Sequence, residues 1–183
     1  MSFADILLIG AGLAMDAAAV SMTNGMVYKN LSRFTYVMMP VFFGVFQLLM
    51  PILGYYAGGL FASVITRYSG IVIFVILGII GLKMLKEGID DLKAHEVCPV
   101  KVMTLKVLFL QAVATSIDAF AVGIGFSAAG IGILGPSALI GAVTVLIVVA
   151  AIFIGRQFGD MLGCRAEILG GIILIVIGVK ALF

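Results

Sequence analysis

Charge is what this sequence has least of. Asp, Glu, Lys and Arg make up 11% of its 183 residues, against about 25% in an ordinary soluble domain. Hydrophobic residues make up 63%, and the mean hydropathy is +1.31. No soluble core of this size could bury so much apolar surface, so the solvent for most of the chain is lipid. Other absences narrow the function. No basic run interleaves with aromatics and the net charge is only +2, which argues against nucleic acid as a partner. No G-x-x-x-x-G-K-[ST] phosphate loop is present, which argues against ATP hydrolysis. The lone histidine, His95, and both cysteines, Cys98 and Cys164, lie outside or at the ends of the apolar segments. An H-x-x-C fragment offers two ligands at most, and a structural zinc site wants four. The N-terminus has no basic n-region, and Asp5 is its only charged side chain, which argues against a cleaved signal peptide.

What is present is apolar sequence in bilayer-length windows. Six segments stand out, at about 4–24, 36–57, 69–86, 105–127, 133–155 and 166–183, near the roughly 20 residues that span a hydrocarbon core. They predict an all-α membrane protein of six transmembrane helices in a single domain. Nine of the eleven Lys and Arg fall in the odd loops: Lys29 and Arg33; Lys83, Lys86, Lys93, Lys101 and Lys106; Arg156 and Arg165. Arg67 and Lys180 are left on the other side. The positive-inside rule then places the odd loops in the cytoplasm and both termini outside. Cys98 and Cys164 face the reducing compartment in that topology, and no disulfide is expected.

Three motifs recur in one order. Asp16-Ala17-x-Ala19-Val20 matches Asp118-Ala119-x-Ala121-Val122; Leu53 to Gly58 matches Ile154 to Gly159 as G-x-x-x-G; Gly81 to Leu85 matches Gly178 to Leu182 as G-x-K-x-L. The pattern reads as a duplication, with one repeat over about 1–86, a cytoplasmic linker over about 87–104 and a second repeat over about 105–183. Three spans per repeat is an odd number, so the second repeat enters from the opposite side. Inverted repeats of this kind are common in secondary transporters, with the substrate near the midplane at the repeat interface.

Asp16 and Asp118 both fall near mid-bilayer. An ionised aspartate there costs about 2.5–3.5 kcal/mol on insertion scales. No Lys or Arg is deep enough in the sequence to pair with them, which leaves protonation, a bound cation or water. Two carboxylates balance one divalent cation, and oxygen ligands select hard ions such as Mg, Ca and Mn. Helical spacing adds Thr115 and Gln111 on the face of Asp118, and Thr23 with neighbouring Asn24 beyond Asp16. In the second segment Pro51 removes the hydrogen-bond partner of the Gln47 carbonyl, which adds Gln47 to the candidate ligands. The bland reading of these polar residues is ordinary hydrogen bonding between helices. Small residues flank both aspartates and permit close helix approach, for an ion site or for packing alone. Lys83 and Lys180 read as anchors at helix C-termini, and Arg156 with Asp160 as a surface pair.

The paired D-A-x-A-V segments, the F-Q-x-x-M-P-x-x-G stretch from Phe46 to Gly54 and the closing G-x-K-x-L resemble the bacterial manganese efflux pump (MntP) family, within the lysine-exporter-like group of transporters. The resemblance covers nearly the whole chain. It implies Mn2+ export across the cytoplasmic (inner) membrane, with two essential intramembrane aspartates that map onto Asp16 and Asp118. No cofactor is called for, since the ion is the cargo. The chain departs from relatives in having Ala18 where they often carry Phe, which leaves the carboxylate untouched. Export of a divalent ion against an inside-negative potential costs about 4.6 kcal/mol per 100 mV, from about 2.3 per charge, and protons are the expected driving ion. The rivals are a same-fold exporter of another divalent cation or a small solute, an intramembrane aspartyl protease and a non-transporting scaffold. The oligomeric state is left open by the sequence.

Overall fold

A computed structural model describes residues 2–28, 33–57, 62–94, 103–162 and 165–180. It holds six helices: α1 (Phe3–Val27), α2 (Arg33–Ala57), α3 (Ala62–Ala94), α4 (Leu105–Ala128), α5 (Leu134–Leu162) and α6 (Arg165–Lys180). No strand occurs among the described residues. Each expected apolar segment has its helix. α3 runs past both ends of the stretch at 69–86, and the end of the sixth segment beyond Lys180 lies outside the described residues, as do His95, Cys98, Cys164 and the side chain of Asp160. By length and apolarity four of the described helices can cross a bilayer: α1, α2, α4 and α5.

Local chemistry sets the helix starts. Ser2 caps α1, its hydroxyl accepting from the Ala4 amide at 3.2 Å, while the Ser2 amide donates to Asp5 Oδ2 at 2.7 Å. This reciprocal box satisfies otherwise orphaned donors and accounts for the one charge near the N-terminus. Thr104 caps α4 without a reciprocal partner, its hydroxyl accepting from the Val107 amide. Between α4 and α5 the chain turns through Gly130 at φ 66°, a conformation in which a Cβ is strained.

The exterior is apolar and the interior carries the polar groups. On α2, Val37, Val41, Val45, Leu49 and Leu53 form an exposed stripe, while Met39, Phe43, Gln47, Pro51 and Gly54 face inward. Thr23, Asn24, Gln47, Gln111, Thr115 and Thr144 are all buried. A soluble monomer rarely exposes apolar patches so extensive, whereas lipid tails accept them. The chain is a multi-pass membrane protein on this distribution.

Close backbone crossings hold the bundle. On α1 and α5, a Cβ at Gly25 would meet the Ile152 carbonyl, and one at Gly155 would meet the Met22 carbonyl. On α4 and α2, Gly123 stands against the Pro51 carbonyl and Gly54 against the Phe120 carbonyl. Each crossing thus uses two glycines, one per helix, placed so that backbones touch, as in small-residue packing in membranes. α3 and α6 cross at Gly81 and Gly171, each against the other's carbonyl.

These contacts give the helix directions. α1 and α5 run parallel, since Gly10 lies against Ile140 and Gly159 against Met26. α2 and α4 run parallel, with Phe46 edge-on to Phe109 and Gly54 at Phe120. α2 and α5 are antiparallel, with Gly44 at Val145 and Gly141 at Leu48. α3 and α6 are antiparallel, with Gly88 at Ile168 and Gly178 at Phe74. α1 is antiparallel to α4 and α6, with Asn24 at Gln111 and Thr23 at Gly170. Direction therefore alternates along the chain. α2 passes Pro40 and Pro51 as one helix.

Gly155→Ala is expected to lower the stability of the folded protein by about 1–3 kcal/mol, because the new methyl meets backbone. Gly12→Ala meets nothing within 4 Å and is expected to be neutral or to stabilise by up to about 1 kcal/mol through helix propensity. Thermal unfolding of the two purified variants in detergent measures the contrast.

Candidate metal centre

Asp16 sits midway along α1 and Asp118 midway along α4. Their helices cross antiparallel, so residues before one aspartate oppose residues after the other. A cavity of about 110 Å3 lies between α1, α3, α4 and α6, lined by Asp16, Ile73, Leu77, Ala114, Thr115, Asp118, Ile177 and Lys180. At roughly 30 Å3 per water, it has room for an ion with part of its hydration shell. Asp16 is half-buried and Asp118 is open to solvent, so the carboxylates are accessible from the cavity. Asp118 lies within electrostatic reach of both Asp16 and Lys180.

Of the residues singled out from sequence, Asp16, Asp118 and Thr115 line this one cavity. The Thr115 hydroxyl donates to the Gln111 and Ala112 carbonyls at 3.0 and 3.3 Å. Its proton is thereby committed to the helix, and its lone pairs remain available to a cation. The other four candidates do not line it. Asn24 and Gln111 face each other as a buried amide pair: Asn24 Nδ2 donates to Gln111 Oε1 at 2.8 Å, and Gln111 Nε2 donates to Asn24 Oδ1 at 3.2 Å. Thr23 donates to the Ala19 carbonyl at 3.0 Å and lays its methyl against Gly170. Gln47 Nε2 donates to the Leu13 carbonyl at 2.9 Å, tying α2 to α1, while its buried Oε1 has no partner. Among the described residues no group of three or more His, Cys, Asp or Glu side chains could hold a metal. The anionic donors of the cavity are two carboxylates, and neutral oxygens or water must complete any shell.

Sequence reasoning missed Lys180. Read as a terminal anchor, it lines the same cavity as the two aspartates. Its long stem reaches where its position near the end of α6 does not indicate, and this corrects the expectation that no cation comes near the carboxylates. Its counterpart in the repeated motif, Lys83, instead forms an exposed pair with Glu87 at 3.8 Å.

Comparison with known proteins agrees with the reading of the motifs. A family model described as "Putative manganese efflux pump" matches residues 30–182. A relative from Ruminiclostridium cellulolyticum is 44% identical over 180 residues, covering 98% of this chain and 95% of its own length. One from Methanobrevibacter smithii is 40% identical over 181 residues, with 99% and 97% covered. One from Methanosphaera stadtmanae is 41% identical over 179 residues, with 97% of each covered. All three carry the family's description with the designation MntP. No solved structure matches.

The buried amide pair generates a test of its own. Asn24→Ala and Gln111→Ala each leave a buried amide without its partner, and each is expected to destabilise by about 1–3 kcal/mol. A double-mutant cycle on thermal unfolding is expected to return a coupling of about 0.6–1.7 kcal/mol, the range for polar pairs between membrane helices.

Proposed function

The chain belongs to the manganese efflux pump family, and from that premise we propose that it is a secondary transporter that exports Mn2+ from the cytoplasm, with Asp16 and Asp118 as the charged ligands. The observation that carries the proposal is the convergence of Asp16, Asp118 and Thr115 on one cavity inside a lipid-facing bundle. Two carboxylates neutralise one divalent cation, and an all-oxygen site suits Mn2+ among the hard ions. Gln47, Gln111, Thr23 and Asn24, which engage other helices in this state, belong to the frame around the ion rather than to its shell.

The protein works by alternating access of two inverted repeats in the cytoplasmic membrane. The antiparallel pairing of α1 with α4, α2 with α5 and α3 with α6 supports this arrangement, since helices in equivalent positions of inverted repeats run in opposite directions. With the odd loops cytoplasmic, α6 runs toward the outer side at its C-terminal end, where Lys180 lies. Manganese enters from the cytoplasm onto ionised carboxylates. After release outside, protons take the place of the metal on the aspartates and are discharged to the cytoplasm on return. The protein then acts as an antiporter, with the proton gradient supplying the work of moving a divalent ion against the potential.

Lys180 favours one alternative enough to state it. Two carboxylates with one ammonium also complement a small amino-acid zwitterion, whose amine would face the aspartates and whose carboxylate would face Lys180. Proteoliposomes loaded with an amino-acid mixture and, in a parallel set, with Mn2+ distinguish the two: export of an amino acid favours the alternative, and export of manganese alone favours the first reading.

Asp16→Asn and Asp118→Asn are each expected to raise cellular manganese under metal load to the level of cells lacking the protein, at normal protein abundance. Wild-type manganese content in either variant contradicts the site. In vesicles, dissipating an imposed pH gradient is expected to abolish uphill transport, and transport indifferent to the gradient contradicts the coupling.

A further inference from the structure

Among the described residues Lys180 is the one cation lining the cavity, and it lies on the last described turn of α6. Its place separates it from an anchor: it lines the same cavity as Asp16 and Asp118. Yet among the described residues it forms no ion pair with either, whereas Lys83, its motif counterpart, pairs with Glu87. A lysine ammonium is a compact charge on a flexible four-carbon stem, so it can cross a space of this size by rotamer change alone.

Resting on the reading of Asp16 and Asp118 as metal ligands, we propose that the Lys180 ammonium is the resident counter-ion of the two carboxylates, and that Lys180 and the transported metal alternate as their partner. In the proposed cycle, once the metal has left, the ammonium swings from the cavity wall, where it pairs with neither carboxylate in this structure, toward the aspartates and offsets one of their two charges. An entering divalent ion, with twice the charge and no stem to order, displaces it toward the outer end. When the transporter faces outward, the returning ammonium competes for the carboxylates and helps eject the metal. The residue thus sets affinity downward and turnover upward: a transporter must bind its ion weakly enough to release it. The effect is also one-sided, because Lys180 lines the cavity and its motif counterpart Lys83 is an exposed residue paired with Glu87.

The test separates this inference from the reading beneath it. Mn2+ binding to the purified full-length protein in detergent is measured for wild type, Lys180→Gln, Lys180→Arg, Asp16→Asn and Asp118→Asn, and Mn2+ efflux at saturating metal is measured in proteoliposomes. Lys180→Gln is expected to bind Mn2+ at least about fivefold more tightly, the low end of couplings between sites, and to turn over at least about fivefold more slowly. Lys180→Arg, which keeps the charge, is expected to restore both toward wild type. Unchanged or weaker binding by Lys180→Gln overturns the proposal, as does failure of the arginine to restore turnover in a protein that melts at the wild-type temperature. If both aspartate variants bind Mn2+ as wild type does, the carboxylate site itself fails. If they lose binding while Lys180→Gln matches wild type, only the role of Lys180 fails.

Discussion

Two negative charges sharing one small volume inside an apolar solvent is the constraint on which this molecule turns. Each ionised aspartate at mid-membrane costs about 2.5–3.5 kcal/mol by insertion, and mutual repulsion adds to that. The fold brings them together nevertheless, on helices that cross antiparallel, with Ala17, Ala114 and Ala119 fully buried around them. Small residues beside the carboxylates let α1 and α4 approach, and the glycine crossings of α1 with α5 and of α4 with α2 fix where they approach. Such an arrangement calls for protons, water or a cation to offset the charge, and the cavity lined by Asp16, Asp118 and Lys180 is where the proposed exchange of metal and ammonium would take place.

The two ends of the bundle are closed by different chemistry. Beyond the aspartates on one side stands the Asn24–Gln111 amide pair, with the Met39 sulphur beside it. On the other side Phe126, Ile133 and Ile140 form an apolar cluster with Ile9, Leu13 and Val122. In the alignment set by the aspartates, Phe126 and Ile9 occupy the positions of Asn24 and Gln111. The repeats have therefore kept a pair of side chains at each end and changed its polarity. An amide pair exchanges its partner for water at little cost, whereas parting an apolar cluster exposes surface at about 25 cal/mol per Å2. The register differs as well. Met22 follows Asp16 by six residues and Phe120 follows Asp118 by two, though both carbonyls serve the same glycine crossing. The aspartates thus sit one helical turn apart relative to the glycine crossings, while both lie seven or eight residues from the Asn24–Gln111 pair.

Much of this was legible in the chain. Hydropathy located every helix, because a lipid-facing stripe such as Val37 to Leu53 is written at fixed spacing. The aspartates were found because a carboxylate in an apolar run has few structural reasons to be there. The partners were harder. Spacing put Gln111, Thr115 and Asp118 on one face, and only Thr115 and Asp118 line the cavity, since helical periodicity fixes a direction and leaves open which helix fills it. Asn24 and Gln111 satisfy each other across α1 and α4, a pairing over 87 positions that no local pattern encodes. Lys180 was overlooked for the opposite reason: its place near a helix end matches the ordinary anchor, and only the packing of α6 in the bundle brings it to the cavity of the aspartates.

Crystals grown with Mn2+ and measured at the manganese absorption edge test the central claim most directly. The account predicts one intramembrane anomalous peak within coordination distance of carboxylate oxygens from both Asp16 and Asp118. A peak bound elsewhere in the membrane region, or one held by a single aspartate with the other turned away, contradicts it.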